Sequence, residues 1–130
     1  MIENDKTVAL LVAAGQGNRA GGDTPKQFRL VAGKAVLAHA YDALASHGAI
    51  DAIHIVLGAG QEGTARKLLG DRGASFIKGA DSRRGSVRAG LESIAATDGA
   101  ARVLIHDAAR PFLPSAVIDR LLGALDEAEG

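Results

Sequence analysis

Cysteine is absent from this sequence, which excludes a disulfide framework, a thiolate nucleophile and cysteine-bound zinc. Aromatic residues are scarce, at 3% of the chain against 47% hydrophobic residues, so any core must be built from Val, Ile, Leu and Ala. Such a core suits close packing of helices on a sheet. An excess of one charge is missing too: 15 Lys and Arg balance 15 Asp and Glu. That balance gives no electrostatic case for general binding to nucleic acid or to an anionic membrane, and any anion site must be local. Long apolar runs are lacking, because residues 1–7 are polar and the run over residues 8–14 is far too short to cross a bilayer. With no secretory-leader pattern either, a soluble cytoplasmic protein is expected. No internal repeat, low-complexity tract or linker interrupts the chain, and 130 residues fit one domain.

What is present alternates. Val8, Leu10, Leu11 and Val12 make Thr7–Ala13 a short, nearly continuous apolar run ending at Gly15, which reads as a strand buried on both faces. Similar runs occupy Ala52–Leu57 and residues 102–106, with a weaker one over 74–78. Between them, Val36, Leu37, Ala40, Tyr41 and Leu44 recur at helical spacing, as do Val117, Ile118, Leu121, Leu122 and Leu125. Val87, Leu91 and Ile94 form a third stripe after Ser82, a natural N-cap, and residues 61–69 form a fourth and poorer one. Strands alternating with helices imply an α/β fold with a mostly parallel sheet, helices on both faces, and ligands bound outside the carboxyl ends of the strands. Residues 1–6 are expected to be a disordered tail, and residues 7–130 one domain.

The unusual residues fall at those carboxyl ends. After the first strand comes Ala13-Ala14-Gly15-Gln16-Gly17-Asn18-Arg19, then Gly21-Gly22 and Pro25-Lys26-Gln27. Small residues allow a close approach of backbone N–H groups to phosphate oxygens, and Arg19 and Lys26 add positive charge. A plain surface connection is one reading of this loop. A dinucleotide fingerprint is another, since Gly15-x-Gly17-x-x-Ala20 fits the pattern, but Gly21, Gly22 and Pro25 prolong the loop where a helix should begin, and the next strand ends at Leu57-Gly58 without an acid. A Walker loop fails because Gly-Lys-Ser/Thr occurs nowhere. A nucleotidyltransferase loop accounts for both cations as well as the glycines.

After the third strand, residues 79–86 place Asp81, Ser82 and Ser86 near a helix N-terminus, suited to a base edge or a phosphate, or else to simple helix capping with Arg83 and Arg84 in solvent. His106-Asp107-Ala108-Ala109-Arg110-Pro111 follows the fourth strand and projects Asp107 from its carboxyl end. A lone carboxylate there suits Mg²⁺, which takes one or two protein carboxylates plus substrate phosphates. An Asp107–Arg110 ion pair shaping the turn is compatible with that role. His106 reads as structural, and His39, His47 and His54 show no metal-ligand spacing.

Together these motifs, A-A-G-x-G-x-R with P-K-Q, then G-x-D-x-R-x-x-S-V, then H-D-A-A-R-P, resemble the 2-C-methyl-D-erythritol 4-phosphate cytidylyltransferase family in order and spacing. Ribitol 5-phosphate cytidylyltransferases share them. The resemblance implies a Rossmann-like nucleotidyltransferase fold in which the backbone of Ala13, Ala14, Gly15 and Gly17 holds CTP, with Arg19 and Lys26 as the catalytic cations on its phosphates. It implies that Gly79, Asp81 and Ser86 read cytosine, that Arg83 and Arg110 support the site, and that Asp107 binds Mg²⁺. The substrates would be CTP and a sugar-alcohol phosphate, without nucleic acid or membrane, and the complete enzyme a homodimer.

The sequence departs from the family at Val12, where proline is common, at Ala20, where methionine is frequent, and at Ala80, where a second glycine is usual. None of these removes a charged group. By the same resemblance the fold is truncated on its C-terminal side, little more than halfway through a typical member, without the later acceptor-phosphate residues, a second metal carboxylate or the dimerisation arm. A noncatalytic nucleotide-binding module and an NAD-dependent dehydrogenase stand as the rival classes.

Overall fold

A computed structural model of the protein describes residues 6–14, 25–72, 74–80, 82–96, 100–108 and 115–128. The elements in chain order are β1 (Thr7–Ala13), a 3-10 turn (Lys26–Phe28), β2 (Leu30–Val31), β3 (Lys34–Ala35), α1 (Val36–Ala45), β4 (Ala52–Leu57), α2 (Glu62–Leu69), a second 3-10 turn (Gly70–Arg72), β5 (Ser75–Lys78), α3 (Arg83–Ala96), β6 (Arg102–Asp107) and α4 (Ser115–Ala128). The expected alternation is therefore present, with β6 extended past His106 to include Asp107. The hairpin β2–β3 was not expected. It turns through Ala32 and Gly33, both at positive φ (54° and 77°), a conformation that suits glycine far better than alanine.

Every residue of β1 is buried, as its unbroken apolar run requires. It pairs in parallel with β4 on one side and β6 on the other, and β5 continues beyond β4, giving the order β5-β4-β1-β6. Residues alternate between the two faces. Ala9, Leu11 and Ala13 point into a core with Phe28, Leu37, Ala40 and Leu44 of the α1 side, Ala65 and Leu69 of α2, and Ile118 and Leu122 of α4. Val8, Leu10 and Val12 join Val56 and Ile94 of α3 on the opposite face. Burying each large aliphatic side chain stabilises the fold by about 1.5–3 kcal/mol, so these two clusters dominate its stability.

The face that α3 buries differs from the sequence stripe. Ser86, Gly90 and Ile94 are the buried residues, whereas Leu91 is 39% exposed. The reason is proximity: a Cβ on Gly90 would lie 2.5 Å from Leu10 Cδ1 and 3.0 Å from Val56 Cγ2, so the helix backbone rests directly on β1 and β4. Leu121 of α4 and Ile105 of β6 are similarly open, at 42% and 40%. Ile105 lies on the edge strand of the described sheet, so it lacks a neighbouring strand on one side.

The amino ends of the strands are joined by backbone and by the Asp51 carboxylate. Lys6 O accepts hydrogen bonds from Ala101 N and Arg102 N at 2.9 and 3.3 Å, which fixes the last residue of the expected tail; residues 1–5 lie outside the described residues. Thr7 N donates to Asp51 Oδ2, and Asp51 N donates to Thr7 O, both at 2.8 Å.

Candidate nucleotide site

At the carboxyl end of β1, Ala13 is buried and its carbonyl accepts a 2.8 Å hydrogen bond from Gln27 Nε2. Gln27 reaches it from the Lys26–Phe28 turn, which Pro25 starts with its fixed φ of −54°. Phe28 N donates to Pro25 O at 2.9 Å, and the Phe28 ring sits in the main core. Lys26 is the exposed residue of that turn, carried between proline and two buried side chains.

The ends of β4 and β5 are tied to each other and to α3. Gly79 N donates to Leu57 O at 2.6 Å. A Cβ on Gly79 would sit 2.6 Å from Ser86 Oγ and 2.9 Å from Val56 Cγ1, so close approach excludes any larger residue there. Ser86 is fully buried, and its hydroxyl accepts from Ala80 N at 3.0 Å and donates to Ala80 O at 3.1 Å. Its observed bonds thus hold the turn that presents Gly79 and Ala80. Ser82 caps α3 as expected, accepting from Gly85 N at 3.0 Å. Arg83, the first residue of α3, is exposed.

On the other side of β1, Asp107 closes β6 in register with Val12, half-buried, and Ala108 N donates to Val12 O at 2.9 Å. Ala13, Ala14, Lys26, Gly79, Arg83, Ser86 and Asp107 therefore share the carboxyl edge of the sheet. Gly15, Gly17, Arg19, Asp81 and Arg110 lie outside the described residues.

Two glutamines escaped the sequence reading. Gln27 stood in the P-K-Q triplet but carried no assigned role. Gln61 enters the sequence pattern only as the first residue of the poorer helical stripe, yet its Oε1 accepts from Gly58 N at 2.8 Å in a buried bond just past β4. A bond from a side chain to a backbone atom leaves no periodic trace in sequence, whether the partner is near in the chain, as for Gln61, or far, as for Gln27.

Among the described residues no group of three or more His, Cys, Asp or Glu could enclose a metal ion. Among the described residues the donor at this edge is one carboxylate, Asp107, and that fits Mg²⁺, which completes its shell with water and phosphate oxygens. The strongly shifted carboxylate is elsewhere. On α1, hydrogen bonds from Arg72 hold the Asp42 carboxyl at about 2, against partial desolvation and with help from Lys34. Burial raises the neighbouring Tyr41 hydroxyl. These groups tie α1 to the β3 hairpin and to the turn after α2, away from the carboxyl edge.

A parallel α/β sheet with α3 crossing one face, α1 and α2 the other, and glycine-bearing loops gathered at its carboxyl edge defines a Rossmann-like domain of the nucleotidyltransferase type. The sequence model of IspD, 2-C-methyl-D-erythritol 4-phosphate cytidylyltransferase, matches residues 7–130, and the chain belongs to that family. It is 58% identical over 123 residues to a bifunctional enzyme IspD/IspF of Rhizorhabdus wittichii, a match covering 94% of this chain and 31% of that protein. Against a 2-C-methyl-D-erythritol 4-phosphate cytidylyltransferase of Cereibacter sphaeroides it is 41% identical over 126 residues, covering 95% of this chain and 56% of the relative. A crystal structure of 4-diphosphocytidyl-2C-methyl-D-erythritol synthase superposes with a TM-score of 0.77 at 29% identity, covering 94% of this chain and 55% of that one. The chain thus spans between about a third and little more than half of the length of these relatives. Among the described residues no helix is long and apolar enough to cross a membrane.

Proposed function

We propose that the whole protein transfers CMP from CTP to 2-C-methyl-D-erythritol 4-phosphate with release of pyrophosphate, and that this chain is its nucleotide-holding part. The observation that carries the reading is the shared edge: the β1 end with Lys26, the Gly79–Ala80 turn and Asp107 all meet the same side of one sheet. Membership of the family and the names of the relatives favour the same substrates.

In this reading an acceptor phosphate oxygen attacks the α-phosphorus of CTP in line, a new P–O bond forms, and the bond to the β-phosphate oxygen breaks to free pyrophosphate. Positioning and fixed positive charge supply the rate, without a covalent enzyme group. Backbone amides around Ala13, Ala14, Gly15 and Gly17 cradle the triphosphate, while Arg19 and Lys26 neutralise charge that gathers on its oxygens. The Gly79–Ala80 turn and Asp81 present polar backbone and side-chain groups to the cytosine, and Ser86 keeps that turn in place. Arg83 and Arg110 add charge at the rim and near the acceptor. Asp107 would hold a Mg²⁺ ion, which when bound supplies further neutralisation of the triphosphate. The complete protein is read as a cytoplasmic homodimer.

The test is pyrophosphate release by the complete protein supplied with CTP, Mg²⁺ and either methylerythritol phosphate or ribitol 5-phosphate. Turnover with the first acceptor and not the second is expected. Lys26→Ala should lower that turnover about 10²-fold or more, the scale for losing one preorganised electrostatic stabiliser. Near-normal turnover of the variant contradicts the role given to Lys26, and turnover with ribitol 5-phosphate alone contradicts the acceptor.

A further inference from the structure

We infer that Gln27 is a positioning residue for Lys26, acting through the last carbonyl of β1; the inference rests on the reading of Lys26 as a contact of the CTP phosphates. Gln27 is only 5% exposed. An amide that deep destabilises a fold unless its polar atoms are bonded, and an aliphatic side chain of similar volume would fill the space without that cost. The polar identity of Gln27 is therefore informative, and its Nε2 donates to Ala13 O, at the point where β1 gives way to the loop.

The turn makes the connection to Lys26 short. Phe28 anchors it in the main core, Arg29 N returns to Lys26 O at 3.2 Å, and Val36 N donates to Arg29 O at 2.8 Å, joining the turn to the start of α1. Gln27 adds an attachment on the other side, to the strand that ends at Ala13. With both attachments made, the Lys26 backbone has a fixed distance from the mouth of the loop, and only its flexible stem moves. Without the bond to Ala13, one side of the turn loses its reference to β1, and the ammonium samples positions away from the reacting phosphates. A donor is specifically required. A carboxylate at this position has no N–H to offer and would set negative charge against the carbonyl.

The test uses the complete enzyme with Gln27→Met, which keeps volume without the donor, and Gln27→Glu, which keeps shape without the donor. Both are measured for thermal unfolding, kcat and KM for CTP, alone and in a Lys26→Ala background. The expected result is cooperative unfolding of Gln27→Met, kcat lowered about 10-fold or more, and KM for CTP within about threefold of the parent. In the Lys26→Ala background, Gln27→Met should change kcat by less than about twofold, because the group it positions is gone. Near-parental kcat in both variants overturns the inference. So does an equal loss with and without Lys26, or loss of cooperative unfolding in both variants, which would make Gln27 a residue of stability alone. A parent enzyme that releases no pyrophosphate from CTP and either acceptor overturns the underlying reading of the site, and the inference with it.

Discussion

At the amino ends of the strands, Asp51 N bonds Thr7 O and Lys6 O receives two backbone amides, and one side chain, the Asp51 carboxylate, adds a bond from Thr7 N. At the carboxyl ends three side chains, Gln27 on Ala13, Gln61 on Gly58 and Ser86 on Ala80, add to the backbone bonds from Gly79 N to Leu57 O and from Ala108 N to Val12 O. The difference matters because a side chain can satisfy one backbone atom and leave adjacent amides available to a ligand. The amino edge is thus built for stability. The carboxyl edge has its turns held by side chains at the usual placement of ligand sites in parallel α/β sheets.

Substitutions at the two ends should therefore separate folding from binding. The largest effect is expected from Gly79→Ala, whose methyl group would crowd Ser86 Oγ, Val56 and Leu57 O. It should lower stability by about 1–3 kcal/mol, the range for overpacking, and also weaken CTP binding, read by denaturant unfolding and by nucleotide titration of the complete enzyme. Asp51→Ala removes the acceptor for Thr7 N at the opposite end. A loss of about 1 kcal/mol is expected in the same unfolding assay, with CTP affinity unchanged. If Asp51→Ala weakened CTP as much as Gly79→Ala, the division between the ends would be wrong.

The smallest effect belongs to the flank. Arg72 hydrogen bonds, assisted by Lys34, lower the Asp42 carboxyl from its ordinary 3.8 to about 2. Its contribution is present above the unfolded value and is lost as pH falls through the folded one, so it disappears between about pH 4 and pH 2. The side chain is 37% exposed, and screening keeps the effect under about 1 kcal/mol. Asp42→Asn should accordingly be slightly less stable than the parent at pH 7, with the gap closing toward pH 2, in unfolding curves taken across that range.

Much of this architecture could be read from the chain. The Val8–Leu10–Leu11–Val12 run located the central strand because burial on both faces demands continuous apolar residues, and Ser82 marked the start of α3 through its short polar side chain. The same logic expected the motif residues at the carboxyl edge, where the described ones, among them Ala13, Lys26, Gly79 and Asp107, lie. What it missed depended on three-dimensional approach. Gly90 replaces a large residue on the buried face of α3, so a search for apolar spacing selected Leu91, which is exposed. Two-residue strands such as β2 and β3 have no period to detect. The two bonds between Ser86 and Ala80, which hold the Gly79–Ala80 turn, likewise depended on that approach.

The central claim is that one edge of this sheet, and not the other, holds CTP with Mg²⁺. Hydrogen–deuterium exchange of the complete enzyme with and without that ligand pair tests it most directly. Slower exchange is expected at Ala14, Ala80 and Ala108, with no change at Asp51 or Ala101. Protection confined to the Asp51 and Ala101 end, or no protection at the carboxyl edge at saturating CTP, would contradict the account.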